Sequence, residues 1–193
     1  MISVATELIQ WYYENRSEDL GIGQMIEMPS WYPVSTHSGD KCLLEALDLL
    51  DLAKFMSTNV FGAGATPTDC QLRGLTVRID LADYTPEWKI NELLAPILTQ
   101  HKSTRFKLCV NVVGWWTRNF DFQLISGIGS KLREAFDGLA EGAVSASARL
   151  TLFVPELFHQ NPQVKIFEDV GGLLGASEED WEEYLTGKLE RRD

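Results

Sequence analysis

Residues 75–81, Leu-Thr-Val-Arg-Ile-Asp-Leu, alternate apolar and polar side chains without a break. This two-residue period is typical of a β-strand that buries only one of its faces. The alternation recurs in two later stretches, where every second residue is apolar: Phe106, Leu108, Val110 and Val112, then Leu150, Leu152 and Val154. The three stretches predict three strands, each with one face in a hydrophobic core.

Helical patterns separate the predicted strands. Thr85 and Pro86 are typical of an N-cap and a first helical residue, and Pro96 is expected to kink or shorten the helix that follows. A second helix is predicted over residues 129–139. Because a connection that contains a whole helix returns the chain to the same end of a sheet, the three strands are expected to be parallel, with right-handed crossovers.

The other face of the predicted strands is polar, and it carries Arg78, Lys107, Asn111 and Thr151. A parallel sheet covered on both faces would contain continuous apolar runs instead. We therefore expect helices mostly on one face of the sheet and a second face that is partly solvated. The predicted fold is α+β or open α/β, with three or more strands and mainly β-α-β connections.

A single globular domain is predicted over residues 1–175, followed by an acidic C-terminal helix or tail over residues 176–193. Three elements are expected before the first strand: a helix over 2–14, a long loop over 17–40 and a helix over 41–56. In the tail, Ser177 and Asp180 have the spacing of a capping box, with Asp in place of the usual Glu or Gln. The tail is expected to dock on the domain or to extend as a ligand for another protein.

The charge of the chain is −11 and is unevenly distributed. Residues 1–60 carry 9 acidic and 3 basic side chains, residues 61–155 carry 9 and 10, and residues 156–193 carry 10 and 4. Nucleic acids and anionic lipid surfaces are bound through clustered Lys and Arg, so neither is an expected partner. The expected partner is another protein.

The cysteines and the N-terminal sequence predict a cytoplasmic or nuclear protein. Cys42, Cys70 and Cys109 are an odd number and are far apart, which is not the pattern of a disulfide framework. The N-terminus has no basic segment followed by an apolar run, so no signal peptide is predicted. No apolar stretch is long enough for a membrane span.

Motifs for a metal or a cofactor are missing, and none is predicted to bind. His37, His101 and His159 are each isolated from other ligand types. Gly127 and Gly129 lack the third glycine of a dinucleotide fingerprint, and we interpret them as a loop before a helix.

Paired aromatic residues in predicted loops are the strongest candidates for a binding site. Adjacent aromatics cannot easily turn into one core stripe, and exposed Trp and Tyr are typical binding anchors. The second pair follows a predicted parallel strand directly, at the sheet edge where open α/β sheets bind ligands. The candidate binding residues are these aromatics and two polar neighbours: Trp31, Tyr32, Trp115, Trp116, Arg118 and Asn119.

Three segments within residues 45–79 resemble a pattern in uncharacterised filamentous-fungal proteins: Glu45-Ala46-Leu47, residues 55–61 and residues 72–79. In those proteins a helix ending near E-A-L leads into Y-x-S-T-N-x-F, and an L-R-x-L-x-I-x-I strand follows. Some of them carry an F-box and are regarded as ubiquitin-ligase adaptors. Here Phe55 replaces the Tyr, and residues 1–40 contain no F-box opening. The resemblance implies a fungal source and supplies no catalytic residues.

Two functions are compatible with these features. The missing catalytic motifs and the aromatic pairs favour a non-enzymatic protein-interaction domain. The alternative is a small hydrolase or transferase whose active site is assembled from dispersed polar residues. Its candidate residues are His37, Asp40, Arg118 and Asn119, since His37 is the one histidine close in sequence to hydroxyls and a carboxylate.

Overall fold

The computed structural model describes these residues of the chain: 7, 8, 11, 47–59, 66, 74–98, 106–139, 144–155 and 163–189. The elements within them are, in chain order, β1 (Leu47–Asp48), α1 (Leu52–Ser57), β2 (Gly74–Asp80), α2 (Ile90–Leu98), β3 (Phe106–Trp115), α3 (Phe122–Leu139), β4 (Val144–Val154), β5 (Gln163–Phe167) and α4 (Glu178–Leu189). Short 3-10 turns at Leu49–Asp51 and Val170–Leu173 precede α1 and α4.

The five strands form one sheet in the order β1-β2-β3-β4-β5. Strands β1 to β4 are parallel to one another, and β5 is antiparallel to β4. This arrangement confirms the predicted fold class and the parallel direction of the three predicted strands. Strand β5 is an addition to the prediction, because its two apolar alternating residues, Val164 and Ile166, are too short a pattern to indicate a strand.

All four helices contribute to one hydrophobic core on one face of the sheet. In α3 the buried residues recur every three or four positions, which places them on a single stripe: Ile125, Ile128, Leu132, Ala135 and Leu139. The alternate residues of the strands face this stripe, including Val77, Val110 and Leu152, each of which is fully buried. The one-sided placement of the helices follows from this alternation.

The predicted helix over 41–56 is partly wrong. Residues Leu47 and Asp48 are a strand, paired in parallel with Val77 and Arg78 of β2, and the helix that follows is only α1. Pairing with the sheet satisfies the backbone groups of this segment better than one more helical turn, so the tertiary contact overrides the helical period. In the predicted helix over 2–14, the described residues 7, 8 and 11 are helical, and the predicted loop over 17–40 lies outside the described residues.

The predicted start of the helix after β2 is also wrong. Helix α2 begins at Ile90, while Thr85 and Trp88 belong to a turn in which the Trp88 N–H donates to the Thr85 carbonyl at 3.0 Å. The cause is Lys131 of α3, whose Nζ donates to the carbonyl oxygens of Pro86 and Trp88. The Pro86 carbonyl is therefore engaged by a lysine rather than by a first helical turn.

Helix α3 begins seven residues earlier than predicted, at Phe122 rather than residue 129. Asp121 is its N-cap, since the Asp121 carboxylate accepts a hydrogen bond from the Leu124 N–H at 3.0 Å. Gly127 and Gly129 consequently lie inside the helix, which corrects their interpretation as a loop. Because glycine has a low helix propensity, the first two turns of α3 do not look helical in the sequence.

Glycines in α3 and β3 differ in the space around them, and this difference predicts how substitutions to Ala change the stability of the fold. A Cβ added at Gly127 or Gly138 of α3 would meet no atom within 4 Å, whereas at Gly114 of β3 it would lie 2.3 Å from Leu81 Cδ1. We expect Gly127→Ala and Gly138→Ala each to raise the free energy of unfolding by up to about 1 kcal/mol. Gly114→Ala is expected to lower it by about 1–3 kcal/mol through overpacking. Urea denaturation of the three variants tests this, and equal effects at Gly127 and Gly114 would contradict the packing described here.

The C-terminal helix α4 docks on the core through Trp181 and Leu185, which are both buried. The predicted capping box is present: the Ser177 Oγ accepts from the Asp180 N–H at 3.2 Å, and the Asp180 carboxylate accepts from the Ser177 N–H at 3.0 Å. The hydrogen bonds from Ser177 hold the pKa of Asp180 below its ordinary value. The cap is therefore complete above the ordinary pKa of Asp and is lost as the pH falls through the lowered value.

Candidate functional site

The two adjacent tryptophans at the end of β3 turn to opposite sides of the sheet. Trp115 is the last strand residue, is 39% exposed and packs against Phe153 of β4 with ring centroids 5.2 Å apart. Trp116 packs instead against Phe120 and Phe122, at 5.0 and 5.8 Å, and this cluster lies against the helical core. Trp115 is therefore the more accessible member of the pair.

The other candidate residues are placed as follows. Arg118 and Asn119 are exposed in the turn between Trp116 and the start of α3. This turn follows the C-terminal end of β3, as the sequence predicts for a parallel sheet. Trp31, Tyr32, His37 and Asp40 lie outside the described residues, so the dispersed active site that combines His37 and Asp40 with Arg118 and Asn119 stays a prediction.

The face of the sheet opposite α1 to α4 is called the helix-free face here, with reference to these four described helices, and it is defined by the pairing of the strands. Side chains at paired positions lie next to one another on the same face. From the amino to the carboxyl ends of the parallel strands, the paired positions form five rows: Gly74, Lys107 and Ser145; Thr76, Cys109 and Ser147; Arg78, Asn111 and Arg149; Asp80, Val113, Thr151 and Ile166; and Trp115, Phe153 and Val164.

The centre of the helix-free face is buried, which corrects the expectation of a partly solvated surface. Lys107 is exposed as expected, but Arg78 is buried, and Asn111 and Thr151 are 1% and 0% exposed. Thr151 Oγ1 donates to Asn111 Oδ1 at 3.0 Å, which satisfies both oxygens inside the protein. The hydrogen bond lowers the cost of burying these two oxygens, and a sequence pattern cannot distinguish a buried polar pair of this kind from a solvated one.

At the carboxyl end of β2, Asp80 organises the turn that leaves the sheet. Its carboxylate accepts from the Ala82 N–H at 3.0 Å, and its carbonyl accepts from the Asp83 and Tyr84 N–H groups at 3.2 and 3.1 Å. Asp80 is buried, so these bonds compensate for its lost hydration. The arrangement assigns Asp80 a structural role in positioning the turn.

The accessible polar part of the face lies toward the amino ends of the strands. Ser145 and Ser147 are exposed, and the Ser147 hydroxyl donates to the Leu108 carbonyl at 3.3 Å. Arg149 pairs with Glu168 at 2.9 Å, with the two side chains 26% and 64% exposed. Burial raises the pKa of the Cys109 thiol, so Cys109 is protonated at neutral pH and is a poor nucleophile.

The accessible apolar part of the face lies toward the carboxyl ends. The exposed Trp115 packs on Phe153, which is buried and is followed in the same row by the half-buried Val164 of β5, and Ile166 occupies the next row at 44% exposure. We call these four residues, Trp115, Phe153, Val164 and Ile166, the apolar strip. Val164 and Ile166 are missed by the sequence analysis because β5 itself is missed. The alternation Val-Lys-Ile is the trace of β5 in the sequence, and it is too short to identify a strand.

Within the part of the chain that the structure describes, no group of three or more His, Cys, Asp or Glu residues is arranged to hold a metal ion. Gly127 and Gly129 have their amides inside α3, where they do not form a phosphate cradle. None of the described helices combines the length and the apolar character that crossing a bilayer requires. Compared with protein-family models, with curated proteins and with solved structures, the chain has no match.

Proposed function

We propose that this chain is a non-enzymatic protein-interaction domain and that another protein binds its helix-free face. The observation that supports the proposal best is the apolar strip, in which Trp115 of β3 and Ile166 of β5 are 39% and 44% exposed on one face of the sheet, with β4 between their strands. Exposed aromatic and aliphatic side chains that lie together on a rigid element are typical anchors of a protein interface.

The topology supports the same function. Strands β1 to β4 follow one another in sequence and in space, and their helices all pack on one side. Repeat proteins with successive strand-helix units of this kind present extended surfaces to other proteins. The sheet holds the strip residues at fixed spacings, so binding would require little ordering of the protein backbone.

The charge on the face supports a protein partner over a nucleic acid. Among the residues that the structure describes, the accessible cations on this face are Lys107 and Arg149, and Arg149 already pairs with Glu168. Two such cations on a chain of net charge −11 favour a protein over a nucleic acid, because nucleic-acid binding requires clustered phosphate contacts. The proposal includes a cytoplasmic or nuclear location and, through the fungal resemblance, a filamentous-fungal source.

The test is capture of partner proteins from a filamentous-fungal extract on the immobilised chain. We expect the captured proteins to be lost when Trp115→Ala and Ile166→Glu are combined, because the two changes remove the exposed members of the apolar strip. Each variant is compared with the wild type by circular dichroism and quantitative mass spectrometry, so that only folded variants are scored.

Leu50→Glu provides the matched control. Leu50 is 51% exposed, it lies in the 3-10 turn before α1, and the change introduces the same charge as Ile166→Glu. Capture that survives Leu50→Glu and fails with the strip variant supports the proposal. Capture that is unchanged in the strip variant, or is lost equally with Leu50→Glu, would contradict it.

A further inference from the structure

We draw no further inference here: the strongest candidate, the apolar strip on the helix-free face, belongs to the site already described, and nothing among the described residues shows what covers it.

Discussion

Trp181→Ala is expected to lower the free energy of unfolding by about 3–5 kcal/mol, the usual cost of deleting a buried Trp side chain. Trp181 is 1% exposed and is the largest fully buried side chain of the described chain. It joins α4 to α3 and to β4, and it lines a cavity of about 10 Å³ together with Ile128, Leu132 and Leu150.

Trp181→Phe separates packing from hydrogen bonding at the same position. The Trp181 indole nitrogen is buried and has no hydrogen-bond partner among the described residues. An unsatisfied buried donor is destabilising by about 1–3 kcal/mol, so its removal should offset part of the volume lost in Phe. We expect Trp181→Phe to be at least about 2 kcal/mol less destabilising than Trp181→Ala. Denaturation of both variants measures this, and equal losses would contradict the docking of α4 on the core.

The second large effect is expected from a charge placed on the helical face of β4. Ala148 is buried opposite Val110, and Asp at position 148 would be an uncompensated buried carboxylate. We expect Ala148→Asp to destabilise the fold by roughly 3–5 kcal/mol. Ser145, three residues earlier on the same strand, lies on the helix-free face beside Lys107. Ser145→Asp is expected to change stability by no more than about 0.5 kcal/mol.

This pair of variants tests the assignment of the two faces, because both add one carboxylate to one strand. Circular dichroism melting curves at neutral pH are sufficient to compare them. Raising the pH through the ordinary pKa of Asp should increase the difference, because burial favours the protonated carboxyl at position 148 and ionisation then favours the unfolded chain. Similar losses at positions 145 and 148 would show that both faces of β4 are packed in the same way.

The sequence predicts the parts of the fold in which apolar residues are buried and polar residues alternate with them, and the parts that depend only on neighbours along the chain. Val77, Val110 and Leu152 alternate with polar residues, and the alternation alone identifies the strands and the face that the helices cover. Parallel pairing follows from the helices between the strands. The capping box of α4 is predictable for the same reason, because Ser177 and Asp180 act within one turn of helix.

The features that the sequence does not predict depend on distant contacts. Leu47 becomes a strand through pairing with Val77, and the start of α2 is delayed because Lys131, more than forty residues later, engages the carbonyl of Pro86. The burial of Asn111 likewise depends on neighbours from other strands. The exposure of one of the two tryptophans that follow β3 is predictable from the sequence, whereas the exposure of Ile166 requires knowledge of β5.

Hydroxyl-radical footprinting of the chain, alone and bound to a captured partner, tests the central claim most directly. Trp115 and Ile166 report on the helix-free face, and Trp88 and Phe136, which pack against the core from the helical side, report on the opposite surface. We predict that partner binding lowers oxidation of Trp115 and Ile166 and leaves Trp88 and Phe136 unchanged. Protection of Trp88 and Phe136 with no change at Trp115 and Ile166 would place the interface among the helices and contradict the account.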